Sequence, residues 1–379
     1  MLFIKNGYVK TMAGEDIKGG GVLIGDDGKI TAVGSEVQAP EAATVIDAEG
    51  RLVTPGCVEA HCHIGLGDLS GGDCNDSVNP LTPELRAIDG INPQNEVFKN
   101  AIRSGVTSVC TGPGSANVLC GTFAAIKCVG SRVEDMIIKD PVAMKCAFGE
   151  NPKKTYGGNG KAPKTRMGIA AMLREFLYKA KKYYEDKKAG NDPAFDFKLE
   201  AMLPVMAGEI PLKAHAHRAD DIFTAIRIAK EFGVRLTLDH CTDGALIADA
   251  LAKEGYPAFV GPSMGGISKY ELLNKSFETP AALHKAGVDI AIITDASVIQ
   301  IQYLPMVAGM AMKSGLPEEE AWRAITIRPA TLVGIGDRVG SLEVGKDGDV
   351  VIWQDDPLHE IGAEAYITVV DGKVVYRAE

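Results

Sequence analysis

The chain has 379 residues, 46% of them hydrophobic, enough for the large core of a barrel with an attached unit. Its 40 Lys and Arg against 50 Asp and Glu give a formal net charge of −10, which argues against nucleic acid or a membrane surface as partner. No apolar run reaches membrane-spanning length, residues 1–7 lack a signal-peptide pattern, and the eight cysteines show no CxxC or zinc-knuckle spacing, so a reduced, cytoplasmic protein is expected.

Residues 1–50 read as short strands with turns. Leu2, Phe3 and Ile4 precede Asn6-Gly7, a hairpin dipeptide, and apolar runs follow at 22–24, 29–34 and 44–47. The extended run 51–58 leads into Glu59-Ala60-His61-Cys62-His63. From Val53 apolar strands alternate with helical stretches, the pattern of parallel βα units. Strands are expected at 106–110, 141–148, 212–217, 234–240, 258–260 and 288–294. Helices are expected at 92–104 with Pro93 in the first turn, and at 166–188, 220–232, up to 254, 300–313 and 317–326. Residues 118–128 are apolar but broken by glycine, and their period assigns no element. After residue 340 β character returns, as a strand-turn-strand over 340–353 and a hairpin over 367–375 turning at Asp371-Gly372. Pairing of the two β-rich ends divides the chain into a sheet unit from 1–52 and 341–379 and a barrel from 53–340.

The chemistry gathers at strand ends, where barrel active sites lie. His61 and His63, two residues apart on a strand, share a face and can reach one metal ion, while Cys62 points away. Imidazole suits zinc, iron and nickel alike. His215, His240 and Asp295 end later strands, and Lys145 lies among apolar neighbours, where an ammonium is costly unless paired or modified. His217 faces the same side as His215 and can polarise a substrate carbonyl. The insert after Phe148 opens with Lys153, Lys154, Lys161, Lys164 and Arg166, a charge that suits a substrate carboxylate.

Taken together, residues 53–63, 213–217, Asp239-His240 and 294–296 resemble the amidohydrolase superfamily of metal-dependent hydrolases, nearest its imidazolonepropionase-related group. Arg328-Pro329-Ala330-Thr331 and 345–349 resemble the return from barrel to sandwich in that family. The resemblance implies an α/β fold, a distorted (β/α)8 TIM-like barrel with a small β-sandwich formed by both chain termini. It implies a divalent metal, zinc by preference, held by His61, His63, Lys145, His215, His240 and Asp295. Carboxylated Lys145 would bridge two ions, as in isoaspartyl dipeptidase; with Lys145 unmodified there would be one ion, and Glu150 is the rival ligand. The implied reaction is attack of metal-activated hydroxide on a C–N bond of a small amide, cyclic amide or peptide-like substrate. Asp295 would shuttle the proton, His217 would steady the carbonyl oxygen, and Lys153, Arg166 and Arg218 would contact the substrate. Deaminases and imidazolonepropionase carry a glutamate three residues after the histidine matched by His215, whereas Arg218 stands there and cannot act as a base. A mononuclear deaminase or cyclic amidine hydrolase, and a non-catalytic structural relative, remain the alternatives. The expected partner is a small-molecule substrate bound by a homo-oligomer, with no nucleic acid and no membrane.

Overall fold

The computed structural model describes residues 1–67 and 72–379. The strands are β1 (Leu2–Val9), β2 (Ile17–Ile24), β3 (Ile30–Gly34), β4 (Thr44–Asp47), β5 (Leu52–Pro55), β6 (Cys57–Cys62), β7 (Val106–Thr111) and β8 (Leu119–Lys127). They continue with β9 (Ile137–Ala147), β10 (Leu212–Ala216), β11 (Leu236–His240), β12 (Ala258–Val260), β13 (Ile290–Ile292), β14 (Val350–Trp353), β15 (Ala365–Val370) and β16 (Lys373–Arg377).

Both chain ends meet in one sheet, ordered β16-β15-β14-β5-β1-β2-β3 with β4 also on β1. The sandwich expected from the termini thus takes the form of a continuous eight-stranded sheet. Its apolar face gathers Ile4, Val22, Ile24, Val53, Ile352 and Ile367 into one core, since alternate strand residues share a face. The Asp371-Gly372 hairpin is as expected, both residues having positive φ (47° and 73°), which a tight two-residue turn requires.

Several sequence expectations change. Asn6-Gly7 is not a hairpin: β1 runs on through it, with Asn6 at φ 56° and a register shift against β2, because a bulge needs the same left-handed φ as a turn. The run 51–58 is two strands, not one. Leu52–Pro55 pairs with β1 and β14 in the terminal sheet, and the barrel begins at Cys57. The helix placed at 92–104 covers Val97–Arg103, because Asn92 and Asn95 accept from the backbone N–H two residues on and hold non-helical turns ahead of it. Residues 340–349 form turns, leaving Val350–Trp353 as the strand there.

The second sheet, ordered β6 through β13 in sequence, is the barrel. Its strands are parallel except for β8, which runs antiparallel to both β7 and β9. Residues 118–128, unassigned from sequence, are therefore mostly this strand, buried on both faces and so without alternation. Between β13 and β6 the ring is drawn together by N–H donation from Ile292 to Ala324, from Val58 to Ile325 and from His63 to Ala296. Amphipathic helices cover the outside. In Ala219–Phe232 the stripe Ile222, Ala225, Ile226 and Ala229 is buried, and Gly233 ends the helix in the left-handed region at φ 69°.

Candidate metal centre

His61 is the last residue but one of β6 and His63 follows the strand, with ring centroids 5.1 Å apart. The period of two places both in the barrel mouth, and Cys62 turns away, its thiol toward the Cys110 carbonyl. His63 Nδ1 lies 2.7 Å from the Gly112 carbonyl oxygen and His240 Nδ1 2.7 Å from that of Gly261. A carbonyl can only accept, so both Nδ1 atoms carry a proton, and Nε2 of each is the nitrogen that can offer a lone pair to a cation when the ring is neutral. His217 Nδ1 is likewise engaged, 2.7 Å from Thr242 Oγ1.

Asp295 follows β13 at φ 53° and points Oδ1 to within 3.2 Å of His61 Nε2 and 3.1 Å of His63 Nε2. That oxygen is buried and accepts no hydrogen bond from the described residues. Lone pairs on nitrogen facing a carboxylate oxygen at this range repel unless a proton or a cation lies between them. Donor atoms of His61, His240 and Asp295 all fall within 4.8 Å of one another, as do those of His215, His217 and His240. The residues present therefore fit a divalent cation, and their imidazole and carboxylate chemistry suits zinc. Burial holds His215 and His217 well below the usual imidazole range and His240 at about 4, leaving the neutral form that ligates. His63 behaves otherwise. Burial pulls it down, but Cys74 and Asp295 raise it to about 10, and the proton so retained stands where a cation would.

Lys145, on β9, is fully buried with its Nζ 2.6 Å from Asp239 Oδ2 and 3.5 Å from His61 Nε2. Lys213, beside it on β10, donates to Asp239 Oδ1 at 2.9 Å and lies 3.8 Å over the Phe259 ring. Burial opposes ionisation of Asp239, yet these two ammoniums outweigh it and hold the carboxyl well below its usual range. Asp239 Oδ2 also lies 3.2 Å from His61 Nδ1, so one carboxylate both orients a candidate ligand and pairs with the two buried lysines.

Glu150 is not drawn into the imidazole group. Its carboxylate accepts the N–H of Glu271 at 3.2 Å while its own N–H reaches Glu271 Oε2 at 2.9 Å. Arg166 donates from Nε to both oxygens of Asp221, its buried Nη2 having no hydrogen bond among the described residues, and Arg218 donates to both oxygens of Asp220. Lys153 sits half-buried on the helix Glu150–Gly157 with no ion pair among the described residues.

Three groups escaped the sequence reading. Glu271, in the connection after β12, has a fully buried side chain 3.9 Å from the Nε2 atoms of both His215 and His217. Glu59 accepts from Thr294 N–H (2.8 Å), Thr294 Oγ1 (2.7 Å) and His61 N–H (3.0 Å), tying β6 to the turn that carries Asp295, and burial pushes its carboxyl up to about 7. Lys213 is the third. Strand position alone could have flagged Glu59 and Lys213, charged residues inside apolar runs; Glu271 lies in a polar connection that shows no period.

Comparison with known proteins bears on this centre. The model of the Amidohydrolase family matches residues 52–375. The amidohydrolase tasK of Hapsidospora irregularis is 30% identical over 93% of this chain, which spans 39% of that protein's length. An imidazolonepropionase of Acidiphilium cryptum is 27% identical, with 90% of this chain and 89% of that one covered. The crystal structure of an amidohydrolase from Thermotoga maritima MSB8 superposes with a TM-score of 0.95 and 39% identity over the whole of both chains.

Proposed function

Because the chain belongs to the amidohydrolase family and is a hydrolase acting on C–N bonds, we propose that it cleaves an amide, cyclic amide or peptide-like bond of a small substrate at the group His61, His63, His240 and Asp295. The observation that carries this reading is Asp295 Oδ1, buried beside the imidazoles of His61, His63 and His240 and without a hydrogen bond from the described residues. A divalent ion held there, zinc by preference, would act as Lewis acid on the scissile carbonyl and bring the pKa of a water from 15.7 to about 7. Asp295 takes the proton of the attacking water as the new C–O bond forms, then passes it to the nitrogen as the C–N bond breaks. Amine and carboxylic acid leave in balance with one water consumed. His217, its Nδ1 2.7 Å from Thr242 Oγ1, would steady the carbonyl oxygen through Nε2. In this reading Lys145 is paired with Asp239, its Nζ 2.6 Å from Oδ2, and is not the bridging ligand. Lys153, without an ion pair among the described residues, and the Nη2 edge of Arg166, without a hydrogen bond among them, are the cationic groups offered to a substrate carboxylate.

The test is a panel of N-acyl amino acids, dipeptides and lactams, run with Zn²⁺ or Mn²⁺ added, on the wild type and on Asp295→Asn. The variant keeps the shape but cannot accept a proton, and turnover is expected to fall roughly 10²–10⁴-fold. Metal content measured alongside separates lost chemistry from a lost ion. A variant with its metal and near-full turnover refutes the assignment of Asp295.

A further inference from the structure

We infer that the cleft between the β1–β2 connection, residues 10–16, and the helix Glu318–Arg323 binds a free α-amino acid with an aliphatic side chain. The cleft is separate from the barrel mouth, since none of the residues placed there lines it. Its volume is about 530 Å³, ample for such a molecule. The inner wall carries hydrogen-bond donors that the fold leaves unused. Trp322 lines the cleft and is fully buried, yet its Nε1 makes no hydrogen bond among the described residues. A buried indole N–H ordinarily finds an acceptor. The neighbouring Trp353, its ring centroid 6.0 Å away, does so at Thr54 Oγ1, 2.8 Å distant. Arg323 repeats the pattern of Trp322. Its Nε is buried without a hydrogen bond, Glu320 Oε1 standing off at 3.7 Å. One carboxylate entering the cleft supplies acceptors for both N–H groups, and Arg323 adds its charge to the bond.

The rim has the opposite sign. Glu15 is exposed and has no ion pair among the described residues. The Glu319 side chain is 77% exposed and approaches Arg323 Nη1 only to 3.6 Å. These carboxylates repel a simple anion and attract an ammonium group. Lys10 also lines the cleft without reversing that balance, because Asp16 at 3.0 Å and Glu318 at 3.7 Å neutralise it. Donors inside and carboxylates outside suit a zwitterion that enters carboxylate first. Between the two, Met12 and the Trp322 indole offer apolar surface to a side chain.

The protein has two tryptophans, one lining the cleft and the other packed against it, so their emission reports occupancy. Titration of the full chain with L-leucine should give a saturable change in emission and a matching heat by calorimetry. Arg323→Gln should weaken binding roughly 10–100-fold. Trp322→Phe, which keeps an aromatic ring but has no N–H, should weaken it roughly 3–10-fold by calorimetry. Glu319→Gln, at a side chain too exposed to matter for folding, should weaken it roughly 3-fold. Isoamylamine lacks the carboxylate and isocaproate lacks the ammonium group, and neither should bind measurably over the same range. A wild type with no change in emission and no heat overturns the site. Undiminished binding in Arg323→Gln places the leucine elsewhere on the protein and overturns it as well. Isocaproate binding as tightly as leucine overturns the zwitterion in favour of a simple anion. None of these outcomes touches the reaction proposed at the barrel mouth.

Discussion

Asp239 shows how little of a buried charge network a single residue reveals. In the sequence it is the neighbour of His240, and strand alternation would turn it from the site. In the structure both side chains enter the barrel, because His240 leaves the extended region at φ 77° and its ring swings to Gly261. Asp239 is then the carboxylate shared by two lysine side chains, Lys145 and Lys213, each no more than 1% exposed. Asp239→Asn strands both cations, and urea unfolding should show a loss of about 3–5 kcal/mol. A loss below about 1 kcal/mol would mean that the ammoniums deprotonate or reach other partners. The candidate ligands themselves were legible, since histidines and an aspartate at strand ends keep that meaning however the strands pair. Glu271 was not, because its position depends on a connection folding back across the mouth, which no local period encodes.

At the scale of elements, the strands with clean apolar runs were read correctly and the joints between them were not. The division at Gly56 is the clearest case. Gly56 separates a strand of the terminal sheet from a strand of the barrel, and its N–H donates to the Asp349 carbonyl. A Cβ there would stand 2.0 Å from Thr107 Oγ1 and 2.4 Å from its Cγ2, so the two sheets approach too closely for any side chain. Gly56→Ala should cost about 1–3 kcal/mol by overpacking. Combining it with Thr107→Gly, which removes the Cβ at 2.7 Å as well as Oγ1 and Cγ2, should recover part of that loss, which a double-mutant cycle reads directly. The sequence offered a continuous apolar run there, and only the contact with Thr107 shows that it changes sheet. The same limit explains β8, whose complete burial erases the alternation that would have marked it.

The whole molecule is fastened at one buried cation. Lys127, at the end of β8 in the barrel, meets Asp349 at 2.6 Å, Asp347 at 3.0 Å and Asp371 at 3.2 Å, all from the C-terminal part of the chain. Burial alone would lower its pKa, but the three carboxylates outweigh it and hold Lys127 above its usual 10.5. A folded pKa raised above the unfolded one adds stability that is complete below pH 10.5 and is lost as pH rises through the folded value. Asp347 is held below its usual 3.8 mainly by Lys127, against burial, so its share is present above that pH and lost on acidification. Unfolding followed against pH should therefore show an alkaline fall that flattens in Lys127→Met. That variant should lose about 3–5 kcal/mol near neutrality, since it leaves buried carboxylates without their common partner.

The order of the terminal sheet also bears on how the polypeptide is made. β5 ends at Pro55, yet the neighbour that covers its outer edge, β14, starts at Val350. A ribosome adding roughly 5–20 residues per second needs roughly 15–60 s to deliver that neighbour. Throughout that interval a growing chain carries an unpaired, apolar strand edge, the surface on which nascent chains pair with the wrong partner. Shielding of that edge until Val350–Trp353 emerges is therefore a requirement of synthesis that the stability of the finished sheet does not meet.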